Sequence, residues 1–286
     1  MTRSFSIRSS PAFLAGAVVL LLAAALVSGC VGSDPSVEQR SISVTGSTTV
    51  LPIAQIAADT YMDKHPNDEI LVSGGGSSVG VKAVGEGTAD IGMASRDLKS
   101  SEMEQYPGLV EHVVAVDGIA LIVNPENSIS SLSLDQVKAI YKGEITNWKD
   151  VGGSDRQIVV VGRDSASGTR EFFYDEVMDK EEFVRTQQEL NSNGAVKQTI
   201  AQTPDAIGYV GLGYIDTSVK AVSINMDGVL VEPTIDNVEN KAYPIARSLH
   251  MYTNGPETGL AKDFLEFLMS AEGQQIVSNE GFVPII

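Results

Sequence analysis

Three short stretches hold the residues best suited to chemistry: Thr45-Gly46-Ser47-Thr48-Thr49, Ser73-Gly74-Gly75-Gly76-Ser77-Ser78-Val79-Gly80 and Arg163-Asp164-Ser165-Ala166-Ser167-Gly168-Thr169. Each combines glycine, which lets a ligand approach the backbone, with hydroxyls that donate hydrogen bonds. Each follows a β-branched run and opens a helical pattern, so its amides fall where a helix start leaves N–H groups without intrahelical partners. A helix N-terminus bears about half a positive charge, and Arg163 adds a guanidinium fork that matches a tetrahedral oxyanion. Acting together, these residues could bind a small anion. Taken singly, each loop is equally an ordinary Ser/Thr helix cap, and Arg163 a partner for a surface carboxylate.

Other chemistries lack their residues. Gly74-Gly75-Gly76 does not have GxGxxG spacing, and neither Ser77 nor Ser167 lies in GxSxG. His65, His112 and His250 sit in no base motif, and the sequence has no HExxH, EF-hand loop or Cys/His cluster. No catalytic residue, cofactor or metal ligand is therefore assigned. One cysteine cannot form an intrachain disulfide or a CxxC pair. With 37 acidic against 20 basic residues, a formal charge of −17 argues against nucleic acid, which is held by clustered Lys and Arg.

The elements that must carry the three loops follow from periodicity. The chain has 286 residues, 43% hydrophobic and 20% charged, a globular balance with room for one large or two modest domains. Ser41–Val44, Ile70–Val72, Ile91–Met93, Ile158–Val161 and Ile207–Val210 read as strands. Val50, Ala54, Ala57 and Tyr61 mark a helix stopped by Pro66, with further helices at 79–84, 134–141, 168–178 and 259–269. Alternating strands and helices predict βαβ units and a mainly parallel sheet. The long extended run 113–123, interrupted by Asp117-Gly118, is placed as a crossing between two α/β lobes, with Tyr243–Ala246 crossing back. Ligands of such sheets bind at the carboxyl ends of strands. Trp148, Tyr209 and Gly208 are read as packing residues, Asn191-Ser192-Asn193-Gly194 as a helix cap with a place lining the cleft as the alternative, and Phe264, Phe267 and Leu268 as core.

Residues 1–29 read as a signal segment: Arg3 and Arg8 precede the uncharged apolar run 12–27, which is short for a bilayer span. Leu26-Val27-Ser28-Gly29-Cys30 resembles a lipobox, making Cys30 the expected lipid-bearing first residue of the mature chain. Residues 30–40, the lipidated cysteine with a Gly/Ser/Asp/Pro-rich run, then form a flexible tether. Residues 1–30 carry two Arg and no acid, so the remainder has a formal charge of −19.

From about Ser41 onward the chain resembles the phosphate-binding lipoprotein subunit of Pst-type ABC transporters, an extracytoplasmic solute-binding family. The resemblance rests on Gly46-Ser47-Thr48-Thr49-Val50, Gly74-Gly75-Gly76-Ser77-Ser78, Ala89-Asp90-Ile91-Gly92, Tyr141-Lys142-Gly143 with Asn147-Trp148, Ser165–Arg170, and Ala206–Val210, in that order. It implies a two-lobed type II periplasmic-binding-protein fold of class α/β, with mixed sheets, flanking helices and a ligand cleft between lobes joined by two crossovers. The lobes would be 41–114 with 245–286, and 115–244. It further implies a non-enzymatic monomer that binds inorganic phosphate and delivers it to ABC permease subunits while lipid-anchored to the membrane. The matching ligand positions are Thr48, Thr49, Ser77, Arg163, Ser167, Gly168 and Thr169. Some members use an Asp to accept the phosphate proton. Here Met93-Ala94-Ser95-Arg96-Asp97 places Ser95 at that position, so Ser95, Asp97, Asp164 or a backbone carbonyl remain open as acceptors. Arg96 is expected at the surface or beside Asp97, with a second ligand role as the alternative. Sulfate, molybdate or tungstate on the same scaffold, or a phosphoesterase using a cleft serine, are the competing functions.

Overall fold

The computed structural model describes residues 39–286. The signal segment, Cys30 and nearly all of the tether lie outside the described residues.

The first strand, β1 (Arg40–Gly46), alternates exposed and buried positions and pairs in parallel with β2 (Asp68–Gly74) and β3 (Ile91–Ala94). Helix α1 (Leu51–Lys64) connects β1 to β2. It has Pro52 in its first turn, where a missing N–H costs nothing, and buries Ile53, Ala54, Ala57, Ala58 and Tyr61 along one face. Helix α2 (Ser77–Gly85) connects β2 to β3, and a short α3 (Ser100–Gln105) follows. Strand β4 (Leu109–Val123) is the longest element of the sheet. After β5 (Ser131–Leu132), α4 (Leu134–Lys142) starts at a capping box on Ser133 and stops at the left-handed Gly143. Then come β6 (Val159–Arg163), α5 (Gly168–Glu176), β7 (Gln188–Leu190), α6 (Asn193–Gln202), β8 (Ala206–Gly211), β9 (Lys220–Met226), β10 (Val229–Val231), α7 (Ile235–Glu239), β11 (Ala246–Asn254), α8 (Gly259–Met269) and α9 (Ala271–Asn279).

The strand path runs β2-β1-β3-β11-β4-β8-β6-β7. The sheet is mixed rather than mainly parallel: β11 is antiparallel to both β3 and β4, and β4 is antiparallel to β8 and β9. The βαβ pattern is local and predicts neighbours only within β1-β2-β3 and β6-β7-β8. The long-range pairs that join those groups run the other way.

Two large apolar clusters divide the core. One contains Val44, Ile53, Ile91, Leu249, Phe264 and Leu268, and the other Leu121, Tyr141, Trp148, Phe173, Ile207 and Tyr209. Strand β4 feeds both, pairing β11 up to Gly118 and β8 from Ile119. The returning chain lies beside it, where the Ile119 amide donates to the Ile245 carbonyl at 2.8 Å and Val116 and Val283 exchange two bonds at 2.9 Å. Phe264 and Leu268 are fully buried, Phe267 packs at the edge of the cluster, and Trp148 is buried with its indole N–H on the Asp205 carbonyl. Among the described residues no helix is long and apolar enough to cross a membrane.

Candidate anion-binding site

The three loops converge. Ser47, Thr48, Thr49, Gly76, Ser77, Ser95, Arg163, Ser167, Gly168 and Thr169 line one small, tightly closed cavity. All the ligand positions anticipated from the sequence are in that lining. The first set comes from the β1–α1, β2–α2 and post-β3 turns; the second from the β6–α5 turn on the other core cluster.

Only the third loop caps its helix with a side chain, and there the capping and donor roles coexist. Ser167 is the N-cap of α5, its Oγ accepting from the Arg170 amide at 3.2 Å, and Ser47 Oγ accepts from the Thr49 amide at 3.1 Å. A hydroxyl that accepts at a lone pair keeps its O–H free to donate. The amides of Gly168 and Thr169 lie in the first turn of α5, where no intrahelical acceptor exists. The walls touch across the cavity: Thr49 Oγ1 and Thr169 Oγ1 are 3.1 Å apart, and the Ser78 amide donates to the Ala166 carbonyl at 3.1 Å. A Cβ on Gly168 would lie 2.4 Å from Ser77 Oγ, so glycine is what permits this approach.

Arg163 is the only charged residue in the lining and is 1% exposed. Its Nε donates to the Leu190 carbonyl at 3.1 Å, and Nη2 donates to Thr48 Oγ1 at 3.2 Å and the Asn191 carbonyl at 3.3 Å. Its Nη1 is buried without a partner. Burial pushes the guanidinium below its ordinary value, partly offset by the nearby Tyr209 and Asp164. An arginine nevertheless stays charged, so an unpaired buried N–H⁺ is a standing demand for an acceptor. Tyr209, which stacks on Phe173 at 4.2 Å, also accepts the Arg163 amide on its hydroxyl at 3.3 Å and so helps place this residue.

Sequence reasoning missed the charged pair behind the lining. Arg247 on β11 sits opposite Asp117 on β4, both buried. Its Nε and Nη2 donate to Asp117 Oδ2 at 3.2 and 2.9 Å, Nη1 donates to the Ser95 carbonyl at 2.9 Å, and Nη2 also donates to Thr169 Oγ1 at 2.9 Å. Burial raises the Asp117 carboxyl and lowers the Arg247 guanidinium, while the charge of each opposes the other's shift. The available signal was Asp117 within the otherwise uncharged run 113–123 and Arg247 at the start of an extended segment. Asn193 is fully buried, donating to Thr48 Oγ1 at 3.1 Å and Thr49 Oγ1 at 3.0 Å, while its neighbour Ser192 caps α6. The Tyr214 hydroxyl donates to the Thr48 carbonyl.

Two expectations change. Arg96 is neither at the surface nor paired to the Asp97 carboxylate; it is 5% exposed and forms ion pairs with Glu102 and Glu171. Asp97 has a 91% exposed side chain, 3.3 Å from His250 Nε2, and lines no part of the cavity. Asp164 is also absent from the lining, whereas Ser95 is in it, with Oγ 3.3 Å from Ser77 Oγ. A larger hollow of about 470 Å³ beside Trp148 offers one cation, Arg156, already 3.3 Å from Asp205.

Walls from two α/β core clusters meeting over a polar cavity define a solute-binding protein of the type II periplasmic-binding fold. A family described as PBP superfamily domain matches residues 32–272. Phosphate-binding protein PstS of Bacillus subtilis is 39% identical over 246 residues, covering 86% of this chain and 81% of that protein; its namesake in Borreliella burgdorferi is 33% identical, covering 94% and 97%. A crystal structure of a phosphate ABC transporter substrate-binding protein with bound phosphate, from Clostridium perfringens, superimposes with a TM-score of 0.81 at 41% identity, covering 86% of this chain and 100% of that one. The chain belongs to the PstS family of phosphate-binding proteins within the PBP superfamily.

Proposed function

We propose that this protein is an extracytoplasmic receptor that binds inorganic phosphate in the Arg163 cavity and hands it to an ABC-type import permease. The observation that carries the reading is the buried Nη1 of Arg163, left without a partner in a cavity otherwise lined by hydroxyls and helix-start amides. A phosphate oxygen completes that guanidinium. Hydroxyls of Thr48, Thr49, Ser77, Ser167 and Thr169 and the Gly168 amide donate to the remaining oxygens. Each hydrogen bond to the charged anion contributes about 1.5–3 kcal/mol net once water is excluded, so several account for tight capture. Nothing in this donor set breaks a bond: the protein is a binder, as its relatives' names describe them.

Ser95 is assigned as acceptor of the phosphate proton. It lines the cavity and can take a proton on its lone pair, whereas the Asp97 and Asp164 carboxylates are not in the lining. With the Ser95 O–H donated to Ser77 Oγ, 3.3 Å away, only its lone pairs face the ligand, and sulfate, which has no proton to offer, would leave them unpaired. The two walls correspond to lobes 41–114 with 245–286 and 115–244, hinged where β4 and the returning chain run side by side. Cys30 supplies the lipid that holds the monomeric domain at the membrane.

Calorimetry of the protein with phosphate and with sulfate at several pH values tests the reading. The expected result is tight phosphate binding that sulfate does not displace; tight sulfate binding that phosphate cannot outcompete overturns it.

A further inference from the structure

A second group of charges joins the walls outside the cavity. Arg96 follows β3 and is buried, yet it does not line the cavity. Its Nη1 and Nη2 each donate to one oxygen of Glu102 at 2.8 Å, and Nη2 also donates to Ser78 Oγ at 3.1 Å. Both partners stand on its own wall. The remaining nitrogen, Nε, faces the opposite wall, where Glu171 Oε2 on α5 lies 2.7 Å away as an ion pair without hydrogen-bond alignment. The same oxygen is 2.8 Å from Lys99 Nζ. The Glu171 side chain is 25% exposed and that of Lys99 39%, so the cluster sits at the rim, between solvent and site.

We propose that Arg96, Lys99 and Glu171 form a latch that sets how long the anion stays bound. The inference rests on the phosphate reading above. Within this charge cluster, parting the walls breaks the two contacts to Glu171 and no others. Arg96 keeps both bonds to Glu102, so opening leaves no buried charge unpaired, and Glu171 passes into water. Burial works against the Arg96 charge, but Glu102 and Glu171 outweigh it and hold the guanidinium above its ordinary value. The latch therefore exists only in the closed form. A contact confined to one state shifts the population toward that state and slows departure of whatever it encloses. Because Glu171 does not line the cavity, it acts on dwell time and not on the choice between phosphate and sulfate.

The test loads the full chain with labelled phosphate and chases it with unlabelled phosphate, for the unmodified protein, Glu171→Gln and Lys99→Ala. Glu171→Gln is expected to speed release at least about fivefold and Lys99→Ala about twofold, as fits a half-buried charge pair. The phosphate-over-sulfate preference should be unchanged, and the gap between variant and parent should shrink at high salt. Thermal unfolding without phosphate separates latch from fold; if Glu171→Gln lowers it, the lysine variant carries the test. Release within experimental scatter of the parent in the stably folded variant, from a protein that does hold phosphate, overturns the latch and leaves the phosphate reading standing. Failure of the unmodified protein to hold phosphate removes both.

Discussion

Arg163 and Ser167 hold the cavity's charge and its best-placed hydroxyl, and their substitution should separate binding from folding. Arg163→Ala removes the one cation in the lining, and Ser167→Ala removes a donor at the start of α5. Each is expected to weaken phosphate at least about tenfold by calorimetry, the scale of a lost buried hydrogen bond to a charge. Ser167→Ala also loses a helix cap and should cost about 1 kcal/mol in a denaturant melt, whereas its binding loss should exceed that. Unchanged affinity in both variants would refute the site. At this scale the sequence showed most of the lining, because all of it but Ser95 lies in short loops that contain glycine. It showed poorly the residues whose roles depend on distant partners. Arg96 could be read only against neighbouring Asp97, since Glu171 is far along the chain, and Arg247 had no visible relation to Asp117 until β11 lay against β4.

The helices that present the loops are fixed by close backbone contact, which makes one glycine a sensitive probe. A Cβ on Gly80 of α2 would lie 2.6 Å from the Met93 carbonyl oxygen and 2.7 Å from that of Thr45. Backbone cannot yield as a flexible side chain does, so Gly80→Ala must push α2 off β1 and β3 and carry Ser77 away from the cavity. The expected outcome is a loss of about 1–3 kcal/mol in stability with weakened phosphate binding. Gly194→Ala in α6, where nothing lies within 4 Å, should be neutral or slightly stabilising in the same melts. Helix α1, the β1-α1-β2 and β2-α2-β3 units and the helix at Gly259–Met269 were legible because their periodicity is local. The antiparallel insertion of β11 between β3 and β4 was not, since it pairs residues more than a hundred positions apart.

Over the whole molecule, the acidic surplus and the anionic ligand are compatible because they act at different ranges. Exposed charges fade over about 8 Å at physiological salt, while the cavity works through contact-range N–H and O–H groups and one guanidinium. The same surplus concerns where the domain sits. An acidic domain has little attraction for an anionic membrane surface, so its retention there should depend on Cys30. Cys30→Ala is expected to move the protein from the membrane fraction to the soluble fraction on cell fractionation. Membrane retention of that variant after signal cleavage would count against lipidation. The composition argued against nucleic acid but not against phosphate, since a single desolvated arginine at the proposed site would outweigh the exposed carboxylates.

One asymmetry of the cavity orders its work in time. Arg163 belongs to the β6–α5 wall, while Thr48, Thr49, Ser77 and Ser95 on the facing wall are neutral. In the proposed binding cycle, an anion entering a parted cleft would be attracted first to the cationic face and keep its water on the other side. The neutral face then strips that water as it arrives. Neutralisation thus precedes dehydration on loading, and rehydration precedes departure on unloading. On that proposal, a permease prying the walls apart would meet a substrate already wetted on one side and still seated on the other.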